Sequence, residues 1–449
     1  MYSTAIIFVD DKSDENMERP RSSIVVGGIS LLERQLRQLK RIGIERAILA
    51  SFAMPDQLQD MTRGYKKTPE LEHLDANFID AAVWDGLTGA LLLEEGVLID
   101  DRILKAVHGT DGDATLAFFA PGHVGYGVGA GTKIDVDGAP RLFASVAGFA
   151  SDVFKAAALE RDFKENPVAA ICRMGLKVPD CTIVDVSAMD PYLPDRRRDV
   201  DLLWRPVTGS GESRRATWVL IGMAQKGTLD WPARWVHPVF ENVMTYYVAK
   251  TFLTPNMITV ITAVAGAYIG YLFAVGQMGW AVAGALIVGV LDGVDGKLAR
   301  TKMLQSPIGE LEHVADKIVE YGWYFCMAYY FANATGTSGP WAVGWMIVLF
   351  AWAEVVQGEF FRRMTGRQLD DAGRFEQAFR LIGARRNTQI WALIPFGIAG
   401  MWLEGFWMIA IYAAVTFFVA QWRFIVRVRA YGSQVSDEIA ENFRKSEYF

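Results

Sequence analysis

The stretch 292-DGVDGKLARTKMLQSPIGELEHVADK-317 follows directly on the apolar run 281-AVAGALIVGVL-291. It sets Asp292, Asp295, Glu312 and Asp316 at the edge of hydrophobic segments, where ionisable groups are costly and mark function by default. Asp292 and Asp295 are three residues apart and share a helix face. Glu312 and Asp316 are four apart and do the same on the next helix. A short loop joins the two helices, so the acidic faces converge. Four carboxylates repel one another unless cations bind them, and hard oxygens in that number suit Mg²⁺, Mn²⁺ or Ca²⁺. A pair of such ions is a familiar means of holding a diphosphate. Gly296 and Ala299 allow close approach of a ligand, and Lys297, Arg300 and Lys302 add positive charge for a phosphate.

Six apolar runs flank or contain this stretch: 256–274, 279–298, 313–333, 340–361, 388–403 and 406–424. A membrane helix needs ~20 mostly apolar residues, and these runs predict a six-helix transmembrane bundle. The loops 275-VGQMG-279, 334-ATGTSGP-340 and 403-LEGF-406 hold no Lys or Arg. The opposite loops hold Lys297, Arg300, Lys302, Arg362, Arg363, Arg367, Arg374, Arg380, Arg385 and Arg386, which makes that side cytoplasmic. Both termini and the soluble half then face the cytosol of a multi-pass protein of the inner membrane. The aromatic stretch 235-WVHPVFENVMTYYVAKTF-252 suits the membrane interface.

The first 235 or so residues read as a soluble protein. Residues 4-TAIIFVD-10 predict a buried strand, 30-SLLERQLRQLKRIG-43 a helix, and 45-ERAILAS-51 a second strand. Ser30 and Glu33 have capping-box spacing, and Leu32, Leu36 and Leu39 form one apolar stripe. A further strand is expected before 100-DDRILKAV-107, with others near 114–119 and 140–149, so the unit is an α/β layer fold. The N-terminal segment reads as this first strand and not as a signal peptide. The net charge of −6 in 449 residues argues against a nucleic-acid partner. The three cysteines, Cys172, Cys181 and Cys326, have no metal-like spacing and fit a reducing compartment.

The acidic stretch resembles the signature of the CDP-alcohol phosphotransferases, D-x2-D-G-x2-A-R-x8-G-x3-D-x3-D. Asp292, Asp295, Gly296, Ala299, Arg300 and Gly309 match it literally. Strict counting places His313 and Lys317 at the last two positions; a one-residue shortening after Gly309 aligns Glu312 and Asp316 instead. Glu312 and His313 both stay open for the third position. The segments 254-TPNMITVIT-262 and 384-ARRNTQIW-391 also resemble parts of this family, over about residues 225–430. The resemblance implies a CDP-linked donor, an alcohol acceptor, membrane lipid and two divalent cations (Mg²⁺ or Mn²⁺). It implies metal binding by Asp292, Asp295, Glu312 and Asp316, with Asp316 also the general base, and CDP binding by Asp292, Gly296, Ala299, Arg300 and Gly309. Arg385 and Arg386 are expected at an acceptor phosphate, and Lys226 beside them. A homodimer is implied as well.

The segment 27-GGISLLERQLRQLKRIGIERAIL-49 resembles the nucleotidyltransferase domain of sugar-phosphate cytidylyl- and uridylyltransferases. Their Gly-rich phosphate loop is replaced here by the acidic 8-FVDDKSDENMERP-20, where phosphate is repelled. Asp100 or Asp101 falls where that family has a metal-binding aspartate. A degenerate nucleotidyltransferase-like domain follows from this departure. The two-part order resembles the bifunctional cytidylyltransferase–di-inositol-phosphate-phosphate synthases. The expected organisation is a cytosolic α/β domain at 1–207, a linker and interfacial helix at 208–253, the membrane domain at 254–430 and a polar tail at 431–449. Against a phosphotransferase making membrane lipids stand three alternatives. They are a bifunctional enzyme that also makes its CDP-alcohol, an intramembrane prenyltransferase and an ion-coupled transporter.

Overall fold

The computed structural model describes residues 2–9, 20–78, 84, 87–120, 131–304, 309–365 and 368–432; the side chains of 309–315 are outside that description. The chain forms two compact units. The first joins Met1–Tyr192 with Asp199–Leu220, and the second joins Leu193–Arg198 with Ile221–Phe449.

The first unit is built on β1 (Thr4–Phe8), α1 (Leu31–Arg41), β2 (Arg46–Ser51), β3 (Glu70–Asp75), β4 (Gly89–Leu93), α2 (Asp101–His108), β5 (Ala114–Phe118), β6 (Lys133–Val136), β7 (Ala139–Ala150), α3 (Ser151–Ala158), α4 (Pro167–Gly175) and β8 (Cys181–Asp185). The main sheet runs β8-β5-β7-β4-β1-β2-β3, with β6 paired to β7. β1 lies parallel to β2 with Ile6 opposite Ile48, and parallel to β4 with Ile6 opposite Leu92. β7 runs antiparallel between β4 and β5, so the sheet is mixed. All five residues of β1 are buried, as expected of a strand covered on both faces. Alternation along it sends Ile6 and Phe8 into one core with Phe154 and Ile171 of α3 and α4. Ile7 goes into the other, with Leu36 and Leu104 of α1 and α2.

The expected strands and helices of this unit are present, with two local differences. Ser30 caps α1 by accepting from the Glu33 amide at 3.1 Å, but the Glu33 carboxylate turns to Arg37 at 2.5 Å. Asp100, one of the two residues at the position of a metal-binding aspartate, is the N-cap of α2: it accepts from the Arg102 amide at 2.9 Å and pairs with the Arg102 guanidinium at 2.9 Å. It also accepts from the Leu203 amide at 3.2 Å. Most of the acidic segment at 8–20 falls outside the described residues.

The second unit is helical. A π-turn at Pro232–Val236 leads into α5 (His237–Ala249). Then come α6 (Pro255–Ala274), α7 (Met278–Thr301), α8 (Gly309–Thr335), α9 (Gly339–Thr365), α10 (Arg374–Ile382), α11 (Arg386–Ile398) and α12 (Trp402–Gly432). Contacts run α6–α8–α9–α12–α11–α7 and back to α6, closing a ring, and α5 packs on α7. The core of the ring holds Phe273, Trp323, Tyr324 and Phe406. Trp280, Ile287, Trp345 and Phe418 are exposed, which suits a lipid surround. Among the described residues, four helices are long and apolar enough to cross a membrane: Pro255–Ala274, Met278–Thr301, Gly339–Thr365 and Trp402–Ala430.

Each of the six predicted spans lies on a helix, but the last boundary moves. The chain turns at Ala399–Met401, and 403-LEGF-406, expected as a loop, is the first turn of α12. α11 is therefore 13 residues long, short of the ~20 that a span requires. Lys302, expected near a phosphate, instead donates to the carbonyls of Thr251 and Leu253 at 2.9 and 3.0 Å and ties down the turn before α6.

Candidate active site

Inside the helical unit lies a cavity of ≈ 1120 Å³. Helix α7 presents Asp292, Asp295, Gly296, Ala299 and Arg300 to it, at the three- and four-residue spacing that keeps side chains on one helix face. α8 contributes Asp316, Lys317, Glu320 and Tyr321. The turn into α11 contributes Arg385, Arg386 and Asn387, and the segment before α5 contributes Lys226 and Asp230. Of the residues singled out from sequence, Asp292, Asp295, Asp316, Gly296, Ala299, Arg300, Arg385, Arg386 and Lys226 thus share one cavity. Gly309, Glu312 and His313 lie on the first turns of α8, whose side chains are outside the described residues.

The acids are held by the protein's own donors. Asp292 Oδ2 accepts from the Arg386 guanidinium at 2.5 Å. Asp295, only 4% exposed, accepts from the Thr259 hydroxyl at 3.0 Å. Among the described residues, no group of three or more His, Cys, Asp or Glu side chains is gathered closely enough to hold a metal ion. The donor set nonetheless fits a hard divalent cation: the three aspartates on this cavity offer only carboxylate oxygen, and one already sits against a cation in Arg386.

Several residues at the site carried no signal in the sequence. Glu241 of α5 pairs with Lys297 of α7 at 2.8 Å, with side chains 5% and 2% exposed. Lys297 also donates to Asn242 at 2.6 Å. A Cβ on Gly293 would run into the Glu241 carboxylate, so a larger residue there would displace that side chain from Lys297. Burial pushes the Glu241 carboxyl up from the usual range, against the pull of Lys297. His237, 3.7 Å from Glu241, is pushed down by burial. Asp230 caps the π-turn by accepting from the Ala233 amide at 3.0 Å and also accepts from Asn387 at 3.3 Å. Arg385 faces Glu354 and Asp370, each at 3.6 Å, and Asp370 takes Arg380 at 2.7 Å. Lys226 makes no hydrogen bond or ion pair among the described residues; burial, then Arg300, Arg197 and Arg196, push its ammonium down to about 8.

Four long apolar helices and a pocket walled by carboxylates and cations define the class: an integral membrane protein with a polar cavity. Residues 252–373 match the family model described as CDP-alcohol phosphatidyltransferase. The C-terminal part of the chain is a CDP-alcohol phosphatidyltransferase domain, and the protein is an enzyme of that family, acting in phospho-alcohol transfer from a CDP-alcohol. The family uses divalent metal ions.

Among solved structures, the chain is similar to the phosphatidylinositol phosphate synthase of Mycobacterium tuberculosis with CDP-DAG bound. The identity is 13% and the TM-score 0.33, over 42% of this chain and 94% of that one. The N-terminal half resembles HddC from Yersinia pseudotuberculosis, at 12% identity and a TM-score of 0.34, over 48% of this chain and 98% of that one. It also resembles the inositol-1-phosphate CTP transferase of T. maritima, at 11% identity and a TM-score of 0.35, over 47% and 91% of the two chains. Among curated proteins, none is similar in sequence to this chain.

Proposed function

We propose that the cavity is the site at which a CDP-alcohol donates its phospho-alcohol group to an alcohol acceptor, in the synthesis of a phospholipid or another polar lipid. The observation that carries this reading is the meeting of Asp292, Asp295 and Asp316 with Lys226, Arg300 and Arg386 around one space of ≈ 1120 Å³. That space lies just above the ~300–1,000 Å³ of small-ligand pockets and has room for a donor and an acceptor together. Arg300 binds and orients the diphosphate, and Arg386 a phosphate of the acceptor, by charge-assisted hydrogen bonds. Asp316 accepts the proton of the acceptor hydroxyl as its oxygen attacks the β-phosphorus. The phosphorus–oxygen bond to CMP breaks, and CMP leaves with that electron pair. Asp292, Asp295 and Asp316, with Glu312, are the residues to hold two divalent cations, which when bound neutralise charge on the diphosphate.

In this reading the helical unit is a multi-pass membrane domain with its cavity and both termini at the cytosolic face. The N-terminal unit is a degenerate nucleotidyltransferase-like domain that does not make the donor. Asp100, committed to capping α2 and to Arg102, supports that assignment.

The test is CMP release by the purified full-length protein with Mg²⁺ or Mn²⁺, across CDP-diacylglycerol and CDP-polyols and several acceptors. Release with at least one donor is expected, and Asp316→Asn is expected to abolish it. Absence of release with every donor, from a folded preparation, overturns the reading.

A further inference from the structure

The sequence places residues 374–382 in a loop between two membrane helices, and the family match ends just before them at 373. They form the helix α10, Arg374–Ile382. Its polarity runs opposite to that of a helix in water, which turns its apolar side to the protein. Glu376 and Arg380, four residues apart, are its inward side. The buried Glu376 carboxylate takes Arg423 at 2.6 Å and Arg427 at 2.7 Å, both from α12. Arg380 pairs with Asp370 at 2.7 Å.

Phe375, Phe379 and Ile382 share a neighbouring face at helical spacing. Phe375 is 43% and Ile382 61% exposed, while Phe379 is half-buried and stacks on Phe375 at 6.0 Å. Arg374 and Gln377, also exposed, form a third, polar side. The helix thus has one side for the protein, one for an apolar surround and one for water.

Two long helices fix the level at which α10 sits. From Trp402 to Trp422 on α12 is ~30 Å at 1.5 Å per residue, the thickness of a hydrocarbon core. The same rise along α9 from Pro340 reaches Phe360, whose ring lies 6.2 Å from that of Phe424 on α12. Phe360 and Trp422 are both exposed, and Arg362, Arg363 and Arg423 follow them directly. Apolar spans that end in aromatics and then arginines mark a membrane–water boundary. α10 packs at that boundary. Phe375 meets Trp422 edge to face at 5.9 Å, and the Arg423 guanidinium lies over the Phe375 ring at 4.7 Å. The uncovered side of α10 is therefore continuous with surface that faces lipid.

We infer that α10 lies along the bilayer surface, with Phe375, Phe379 and Ile382 set into the boundary between head groups and acyl chains. Its partner is the lipid surface itself. Two residues after Ile382 the chain brings Arg385 and Arg386 to the cavity, and Arg380 shares Asp370 with Arg385. The lipid contact of α10 thereby anchors the turn that carries those two arginines.

The experiment uses the full-length protein in nanodiscs of phosphatidylcholine and phosphatidylglycerol. Ile382→Cys, Phe375→Cys and Gln377→Cys are labelled with bimane, and the signal of the labelled parent is subtracted. Lipid carrying a nitroxide near the head-group end of its chain is the quencher. Labels at 382 and 375 are expected to lose most of their fluorescence, and the label at 377 little. Equal quenching at 377 and 382, in variants that melt like the parent, overturns the inference. A disulfide between two copies of Ile382→Cys, with no lipid quenching at 375, gives the face to a second copy and overturns it as well.

Discussion

The Arg386 guanidinium lies 2.5 Å from Asp292 Oδ2, joining the first residue of α11 to the first acid of the 292–317 motif. The two are 94 residues apart in sequence. One carboxylate is thereby shared between a protein cation and any divalent ion that approaches it. Removing the guanidinium frees the carboxylate for metal but strips the cavity of the cation proposed for the acceptor's phosphate. Arg386→Gln is therefore expected to tighten Mn²⁺ binding, read by electron paramagnetic resonance, while lowering turnover by about tenfold or more. Looser Mn²⁺ binding in this variant would mean that Arg386 supports the metal site and does not compete with it.

Asp100 caps α2 and pairs with Arg102. Its loss should behave as a lost helix cap. Asp100→Ala is expected to cost the N-terminal unit about 1 kcal/mol, within the range for N-cap substitutions. The cost should show in denaturant unfolding, and it should be the same with and without Mg²⁺. A Mg²⁺-dependent cost would restore the metal-binding role that the sequence position suggested.

The acids of the motif were legible because their chemistry and their helical spacing coincide. Asp292, Asp295 and Asp316 reach one cavity, as the convergence of two helix faces requires. The sheet was legible in β1, α1 and β2, where a buried strand, a capped amphipathic helix and a second strand follow one another. What stayed hidden depends on contacts between residues distant in sequence. Nothing local tells that Lys297 pairs with Glu241, or that Lys302 is spent on the carbonyls of Thr251 and Leu253. The arginines at 196–198 read as part of a soluble half because local pattern gives no sign that six residues depart into another unit. The boundary near residue 400 was misplaced because both flanks are apolar, and hydropathy alone cannot find a tight turn between them.

Lys226 gives the site a pH dependence with a defined sign. Burial, with Arg300, Arg197 and Arg196, holds its ammonium at about 8 against an ordinary 10.5, and Asp292 offsets part of this. Below about 8 the group is charged both folded and unfolded, and the fold bears the full burial cost. Between about 8 and 10.5 the folded chain has released a proton that the unfolded chain keeps, so this group's contribution to stability rises with pH. Anion binding moves the other way. The dissociation constant for inorganic phosphate is expected to rise as pH passes upward through about 8, and Lys226→Arg should flatten that profile. A parent profile that is flat through this window would remove Lys226 from the anion site.

The pair between Glu241 and Lys297 lies at 2.8 Å with both side chains almost wholly enclosed. It fastens α5 to the helix that carries Asp292 and Asp295, and the Glu241 carboxylate lies close against Gly293. Breaking one member of a buried ion pair leaves an uncompensated charge, at a typical cost of about 3–5 kcal/mol. Glu241→Leu is therefore expected to lower the melting temperature of the detergent-solubilised protein sharply. Replacing both partners removes the stranded charge, and Glu241→Leu with Lys297→Met should recover most of that loss. Turnover separates the two roles that Lys297 can have. If the pair only positions α7, the double variant regains activity together with stability. If Lys297 also neutralises substrate phosphate, stability returns while turnover stays low, and the charge on α7 then belongs to the chemistry as well as to the packing.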